Sequence, residues 1–330
     1  MVLLVTESGD DSTNSVIDWL SYYRKEFKRL NLDLFLSNEI ENMSIEFGNS
    51  TDDSAASFDN RNVSMEQIDS VWFRRSVRPF LEESFLNVYE QDFYRKVKNN
   101  FYYEYSHSIL FLLSKLSHDK KKLGNYNILR FNKLEMLSQV KEVGIEIPPT
   151  LVTNDKTCLV AFKQKHRSII TKAISEVFDL KIDSSSGKKV FLNYTEEVTD
   201  KTVESLPVKF GMSLFQKNLE KEIEIRVFYL NGELYSMAIF SQLDTQTSTD
   251  YRKYTNNRNV PYKLPHELEN KIRQLMAKIN LDTASIDFVK TKDRRFVLLD
   301  INPRGQYGMT SYPCNYHLDK KIADYLTNHE

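Results

Sequence analysis

The stretch EIEIRVFYL–NG–ELYSMAIFS, residues 222–241, narrows the choice of fold more than any other part of the chain. Asn231-Gly232 is a two-residue type I′ turn signal, because both central positions of that turn need positive φ and these residues accept it. The flanking runs must then be antiparallel strands. Strand side chains alternate with a period of two, so Glu222, Glu224 and Arg226 share one face and Ile223, Ile225 and Val227 the other. As a surface ion-pair ladder the charged trio would contribute little. As part of a site, an arginine fixed on a rigid strand suits bidentate binding of a phosphate or carboxylate.

A second hairpin is expected in SIDFVKTKDRRFVLLDIN, residues 285–302. A tight turn symmetric about Asp293-Arg294 sets Asp287 directly across from Asp300, with Asn302 two residues along the same face. Facing carboxylates with Cβ atoms roughly 4.5–5.5 Å apart repel unless something positive intervenes. Three oxygen donors without His or Cys suit Mg²⁺ better than zinc. Ile286, Phe288, Leu299 and Ile301 are expected on the opposite, core face. The plain alternative is an exposed hairpin carrying two solvated aspartates.

The rest of the chain alternates elements. VLLVT (2–6) reads as a buried strand, residues 10–27 as a helix and LDLFLS (32–37) as the next strand. Residues 48–62 read as a polar loop, IDSVWFRRS (68–76) as an apolar run, and the span from Glu83 to about Lys122 as a long helix. KLGNYN breaks that pattern, and a helix over 131–144 closes at Gly144 with Lys133 near its start. SIITKAI (168–174) is a β-branched strand in which Lys172 needs an anion or must snorkel. DSSSGKK (183–189) reads as a flexible loop, MSLFQKNL (212–219) as an extended segment, and 265–280 as a helix.

Composition excludes several classes. Forty-one per cent hydrophobic and 28% charged residues describe an ordinary globular chain, and a net charge of −1 gives no field for nucleic acid. Neither cysteine, Cys158 or Cys314, has a metal-ligand or CxxC spacing, which leaves a reducing cytoplasm as the expected location. MVLLVTESGDD lacks a basic n-region and reads as a first strand, and ILFLL (109–113) is too short to span a bilayer. No membrane or nucleic-acid partner is expected. GxGxxG and GxxxxGK[ST] phosphate loops are absent from the sequence.

Taken in order, NKLEML…GIEIPPT, ITKA, LFQKNLEKEIEIRVF, SIDF and LLDINPRGQYG resemble the ATP and metal elements of the ATP-grasp ligases over about residues 125–315. SVWFRRSVRP, PPTLVTND, TDYRKY and the tail NPRGQYGMTSYPCNYHLDKKIADYL make the chain most similar to graspetide-forming peptide maturases of the grasp-with-spasm type. Two features depart from the wider superfamily. Asp300 stands where many members carry Glu, and 184–189 keeps only Gly187 where a phosphate-covering loop is expected.

The resemblance implies a fold of mixed α/β and α+β class. An N-terminal pre-ATP-grasp domain (1–124) would precede a central lobe (125–211) and a C-terminal lobe (212–330) that clamp ATP. It implies ATP and Mg²⁺ as cofactors, with Lys133 and Lys172 on the phosphates and Gln216, Lys217 and Leu219 at the adenine. Glu224 would contact the ribose, and Arg226 and Arg252 would lie near the γ-phosphate and acyl group. Asp287, Asp300 and Asn302 would hold the metal.

The implied reaction activates Glu or Asp side chains of a ribosomal precursor peptide, leader plus core, as acylphosphates. Ser, Thr or Lys side chains of the same peptide then attack to close ester or amide rings. A homo-oligomer, a dimer, is expected. A ligase joining two separate molecules and a non-catalytic ATP- or peptide-binding module are the alternatives. Arg74, Arg75 and Arg78, beside Trp72 and Phe73, are either solvated or an anion-binding wall for an acidic peptide segment.

Overall fold

The computed structural model describes residues 1–32, 43–47, 54–58, 63–75, 88–127, 132–174, 179–184, 187–192, 195–240 and 257–328. In chain order its first elements are β1 (Val2–Thr6), α1 (Asp11–Tyr22), β2 (Phe27–Asn31), β3 (Met43–Phe47), β4 (Ser54–Phe58), β5 (Val63–Ser64), β6 (Ser70–Phe73), α2 (Val88–Asp119) and β7 (Lys121–Gly124). These lie in a compact unit made of Met1–Arg130, Pro303–Ser311 and His317–Glu330.

Strands β2-β1-β6-β7 form a wholly parallel sheet. Parallel neighbours need crossovers, which α1 and α2 supply. Every residue of β1 is buried, as a strand covered on both faces must be. Leu3, Val5, Val71 and Phe73 pack with Ile109, Leu112, Leu113 and Leu116 of α2, so the ILFLL run is core. Gly124 takes φ +84°, and a Cβ there would lie 2.4 Å from the Phe73 carbonyl oxygen, so the parallel pairing of β6 and β7 needs glycine at that point.

Two sequence expectations change here. The strand after α1 is Phe27–Asn31 rather than 32–37; of LDLFLS only Leu32 lies within the described residues. FKRLN buries only Leu30, and so short an edge strand carries too little periodicity to separate it from the preceding helix. The stretch 48–62 is not all loop, since Ser54–Phe58 pairs antiparallel with β3. Its small residues have weak strand propensity and rely on their neighbour strand.

The second unit comprises Phe131–Asn302 and Tyr312–Tyr316. Its elements are α3 (Lys133–Glu142), β8 (Thr150–Asp155), α4 (Lys156–His166), β9 (Ile169–Lys172), β10 (Asp179–Ser184), β11 (Gly187–Leu192), β12 (Glu196–Glu197), α5 (Asp200–Ser205), β13 (Lys209–Lys217), β14 (Lys221–Leu230), β15 (Glu233–Ile239), β16 (Asn259–Tyr262), α6 (His266–Lys278), β17 (Thr283–Thr291) and β18 (Phe296–Asn302). The chain closes with α7 (Gly308–Cys314) and α8 (Leu318–Thr327).

One antiparallel sheet runs β12-β9-β13-β8 and packs Ile169 and Phe215 against Leu159 of α4 and Val203 of α5. The other runs β16-β15-β14-β17-β18 and buries Ile225, Val227, Ile286, Phe288, Leu298 and Ile301 beneath Met136 of α3 and Ile272 and Leu275 of α6. Asn231 and Gly232 take φ +43° and +98° and close the β14–β15 hairpin between Leu230 and Glu233, as the turn signal requires. The 183–189 segment is not a free loop. Strands β10 and β11 pair as far as Ser184 and Gly187, and residues 185 and 186 lie outside the described residues.

By contacts, residues 303–311 and 317–330 fall with the N-terminal unit, a grouping that a linear cut at 211/212 cannot express. In that unit Trp19 Nε1 donates to Asp319 (2.7 Å), the Tyr23 hydroxyl donates to Asp324 (2.6 Å), and the Ser70 hydroxyl donates to the Leu326 carbonyl (2.8 Å). No helix among the described residues is long and apolar enough to cross a membrane.

Candidate active site in the second unit

The five-stranded sheet buries one face in its helices and turns the other toward a cavity. Across that second face Met237, Arg226, Asp287 and Asp300 form one row on β15, β14, β17 and β18. Phe228, Ser285 and Asn302 form the row two residues along. The Arg226 guanidinium, nearly buried, donates from Nη1 to Asp287 Oδ1 and Oδ2 at 3.2 and 3.4 Å. Lys133 Nζ reaches Asp300 Oδ2 at 3.3 Å. Two facing carboxylates are therefore each held by a cation, which offsets their mutual repulsion.

The register behind this row differs from a symmetric hairpin. On the turn side Lys290 pairs with Phe296, Val289 with Val297 and Phe288 with Leu298, a register centred on Asp293. Continued without interruption it would set Asp287 across from Leu299. A bulge at Leu299 adds one residue to β18 and brings Asp300 opposite Asp287. The core-face expectation shifts with it: Leu298 is buried in the core, while Leu299 lines the cavity beside Asp300. The bulge also leaves the Leu299 carbonyl outside the regular ladder, and it accepts a hydrogen bond from Lys172 Nζ at 2.8 Å.

A second irregularity, between Lys221 and Ile223, divides the charged trio of β14. Glu222 pairs with Lys290 at 2.9 Å on the exposed side. Glu224 is buried and accepts from Lys221 Nζ at 3.2 Å inside the cavity. Of the nucleotide-site candidates, Lys172, Gln216, Lys217, Leu219 and Glu224 line this cavity together with Asp287 and Asp300. Lys133 lines an adjoining hollow with Lys172 and Asp300. Arg226 stands beside Asp287, and Asn302 lies on the same face one row away.

The end of β13 is stitched to the start of β8 and the two prolines ahead of it. Gln216, 1% exposed, donates from Nε2 to the Thr150 hydroxyl at 2.9 Å, and that hydroxyl donates to the Pro148 carbonyl at 2.7 Å. Lys217 N donates to Pro149 O at 2.9 Å. Sequence reasoning missed Thr150, Lys221 and Leu299. A Thr after two prolines and a Lys three residues before a buried Glu were the available signals; nothing local marks Leu299 as a bulge.

The donor set fits a hard cation. Asp287, Asp300 and Asn302 offer oxygen donors, and among the described residues no three His, Cys, Asp or Glu side chains cluster to hold a metal ion by themselves, so a cation here would depend on these two carboxylates and on oxygens from outside the protein. Mg²⁺ is ordinarily held by one or two carboxylates, with water and phosphate oxygens completing its shell.

The arginines of the first unit have a different role from the expected wall. Arg74 is 3% exposed and its Nε lies 3.2 Å from Asp10 Oδ2; Nη1 donates to the Arg304 carbonyl (2.9 Å) and Nη2 to the Ser12 hydroxyl (3.0 Å). Arg75 lies within 3.6 Å of Glu7 and 3.8 Å of Asp10. Both lie among carboxylates of their own unit, and burial removes Arg74 from any solvent-facing surface. Arg78 and Arg252 lie outside the described residues.

Comparison with known proteins fits this geometry. The MvdD pre-ATP grasp domain matches residues 1–118, and the RimK-like ATP-grasp domain matches residues 130–326. Among solved structures, the macrocyclase MdnB from Microcystis aeruginosa MRC is 26% identical with a TM-score of 0.73, over 98% of each chain. MdnC from the same organism, bound with precursor peptide MdnA, is 24% identical with a TM-score of 0.78 over 99% of each chain. A Chryseobacterium gregarium RiPP-associated ATP-grasp ligase, in complex with ADP and a leader and core peptide, is 22% identical with a TM-score of 0.82, covering 100% of this chain and 97% of its own. Among curated proteins no sequence matches the chain.

Proposed function

The chain belongs to the RimK-like ATP-grasp family, and on that premise we propose that it is an ATP-dependent peptide macrocyclase. The observation that carries the reading is the pairing of an MvdD-type pre-ATP-grasp domain with an ATP-grasp domain in one chain that is similar to MdnB over 98% of each chain. The substrate is a ribosomal precursor peptide, leader plus core, whose Glu or Asp side chains are activated. The protein works in the cytoplasm as a homodimer, and exposed Phe93 and Tyr103 on α2 offer apolar surface for self-association. Residues 125–211 and 212–302 supply the two lobes that hold nucleotide.

A carboxylate is a poor acyl donor because its leaving group would be oxide. Transfer of the γ-phosphoryl group of ATP to it releases ADP and leaves an acylphosphate. A Ser or Thr hydroxyl, or a Lys amine, of the same peptide attacks the acyl carbon; phosphate leaves, the nucleophile loses its proton, and a ring closes. Such a reaction needs positioning and charge neutralisation rather than a nucleophile–base triad. Lys172, oriented by the Leu299 carbonyl, and Lys133, poised at Asp300, are suited to the phosphates. Gln216, Lys217, Leu219 and Glu224 line the cavity, where the first three would border the base and Glu224 the ribose. Arg226, beside Asp287, would face the transferring group, a role the family resemblance also gives to Arg252. Asp287, Asp300 and Asn302 would hold Mg²⁺, which supplies neutralisation of phosphate charge.

Incubation with ATP, Mg²⁺ and a Ser/Thr- and Glu/Asp-containing peptide encoded beside the gene tests the reading by mass spectrometry. Loss of one water per bond with formation of ADP is expected. A gain in mass would mark a ligase joining separate molecules, and no ATP turnover with such a peptide would mark a binding module. Within the same assay Lys172→Ala should raise the KM for ATP roughly tenfold or more, since a charge-assisted contact to phosphate is worth about 1.5–3 kcal/mol. A folded variant with unchanged KM would remove Lys172 from the phosphate site.

A further inference from the structure

Arg167, at the end of α4, adopts φ +62° and ψ −65°, and Ser168 N donates to the His166 carbonyl at 2.8 Å. That is a γ-turn of the positive-φ form, which is rare and strained for a residue with a Cβ. Glycine would take this conformation without strain, yet an arginine occupies it. The turn is fastened to the cavity rim: Asn218 N donates to Ser168 O (3.0 Å), and Asn218 Nδ2 to the Ser168 hydroxyl (3.2 Å). Asn218 and its neighbour Lys217 both line the cavity.

Around this turn lie Lys165, Arg167 and Lys217, all exposed, with His166 between them. Among the described residues none of the four forms an ion pair, although Lys163, one turn back, pairs with Asp200. The Glu197 carboxylate, on the neighbouring strand, accepts from the Ser168 hydroxyl at 3.4 Å and forms no ion pair among the described residues. Burial first, and then the nearby charges of Lys165 and Lys217, hold the His166 imidazole below its ordinary pKa, which sets both lysines close to that ring. A helix C-terminus favours cations, which accounts for Lys163 and Lys165. It does not account for a charged side chain at the strained position, nor for Lys217, which comes from β13.

We infer that Lys165, Arg167 and Lys217 form a docking patch at the cavity rim for an acidic segment of the substrate peptide. The inference rests on the macrocyclase reading for the identity of the ligand. Such a patch would draw a Glu- or Asp-rich chain to the mouth of the cavity that holds Asp287 and Asp300. Opposite charge of this kind raises local concentration and capture rate.

Fluorescence anisotropy with a labelled alternating Glu-Thr peptide, and its Gln-Thr counterpart as control, tests the patch on the full chain. The Glu peptide is expected to bind at least about tenfold tighter than the Gln peptide, and more weakly as salt rises. Lys165→Glu/Arg167→Glu should remove that preference while calorimetric affinity for ATP stays within about twofold, since neither residue lines the nucleotide cavity. Arg167→Gly separates docking from backbone structure: relief of the turn should raise Tm while affinity for the Glu peptide falls. Equal affinity for the two peptides, an Arg167→Gly variant with raised Tm and unchanged affinity, or equal competition by a single-stranded oligonucleotide of the same charge would each overturn the proposal. Absence of ATP turnover in the cyclisation assay would sink the macrocyclase reading and leave this binding result standing.

Discussion

Asp300→Asn is expected to reduce ATP-dependent cyclisation by roughly 10²–10³-fold or more, the range seen when one electrostatic contact to a developing charge is removed, while Tm stays within a few degrees. The asymmetry follows from the geometry. Asp300 lies at the cavity wall with a side chain 36% exposed, and its ion pair with the partly exposed Lys133 spans 3.3 Å. Half-exposed pairs contribute little to stability. The substitution keeps size and shape, so the bulge at Leu299 and the cross-strand pairing with Asp287 should persist. What it removes is one of two carboxylates available to a hard cation, leaving Asp287, which Arg226 already engages. Single-turnover kinetics alongside thermal unfolding make the comparison. A folded Asp300→Asn protein with normal turnover would take Asp300 out of the metal site.

The facing of Asp287 and Asp300 is legible in the sequence, but for a reason the sequence does not display. A turn symmetric about Asp293-Arg294 predicts the pair; the real turn is centred half a residue earlier, and the bulge at Leu299 supplies the missing residue. Two offsets cancel. The same offsets move Leu298 into the core and Leu299 to the cavity, and a one-residue slip of that kind exchanges faces. The Asn231-Gly232 hairpin is read without such luck, because its turn chemistry allows a single geometry.

What resists reading from the sequence is chiefly tertiary. β2 and β4 are strands because a neighbour strand pairs with them, not because FKRLN or SAASF prefers to be extended. Thr150 acquires its role from Gln216, 66 residues away. VWFRRS shows that arginines follow a strand, but not that Asp10, at the start of α1, waits for one of them.

That buried pair carries the largest stability effect expected in the molecule. Arg74 and Asp10 have side chains 4% and 5% exposed and lie 3.2 Å apart. Asp10 also accepts from the hydroxyls of Ser12 (2.6 Å), Thr13 (2.9 Å) and Thr6 (3.1 Å). Burial pushes the Asp10 carboxyl upward, but Arg74, then the Ser12 and Thr13 hydroxyls, then Arg75 outweigh it and hold the pKa below the ordinary value. Burial also pulls Arg74 downward against the attraction of Asp10. An arginine starts so high that it stays charged wherever the protein folds, so the pH dependence of the pair is that of Asp10. Arg74→Met leaves a buried carboxylate without its main counter-charge and should destabilise by roughly 3–5 kcal/mol, a Tm fall on the order of 10 °C. Asp10→Asn combined with Arg74→Met should recover much of that loss, because no uncompensated charge remains. A carboxylate with a depressed folded pKa contributes stability that is full above its unfolded pKa, about 3.9, and is lost as pH falls through the folded value. The gap in unfolding free energy between the wild type and the double variant should therefore hold constant from neutral pH to about 5 and close only below 3.9. Urea denaturation of the three proteins across that range decides it. An Arg74→Met protein as stable as the wild type would mean that Asp10 is satisfied by its hydroxyl donors alone, and a gap that closes near neutral pH would mean that burial outweighs Arg74 and the hydroxyls in setting its pKa.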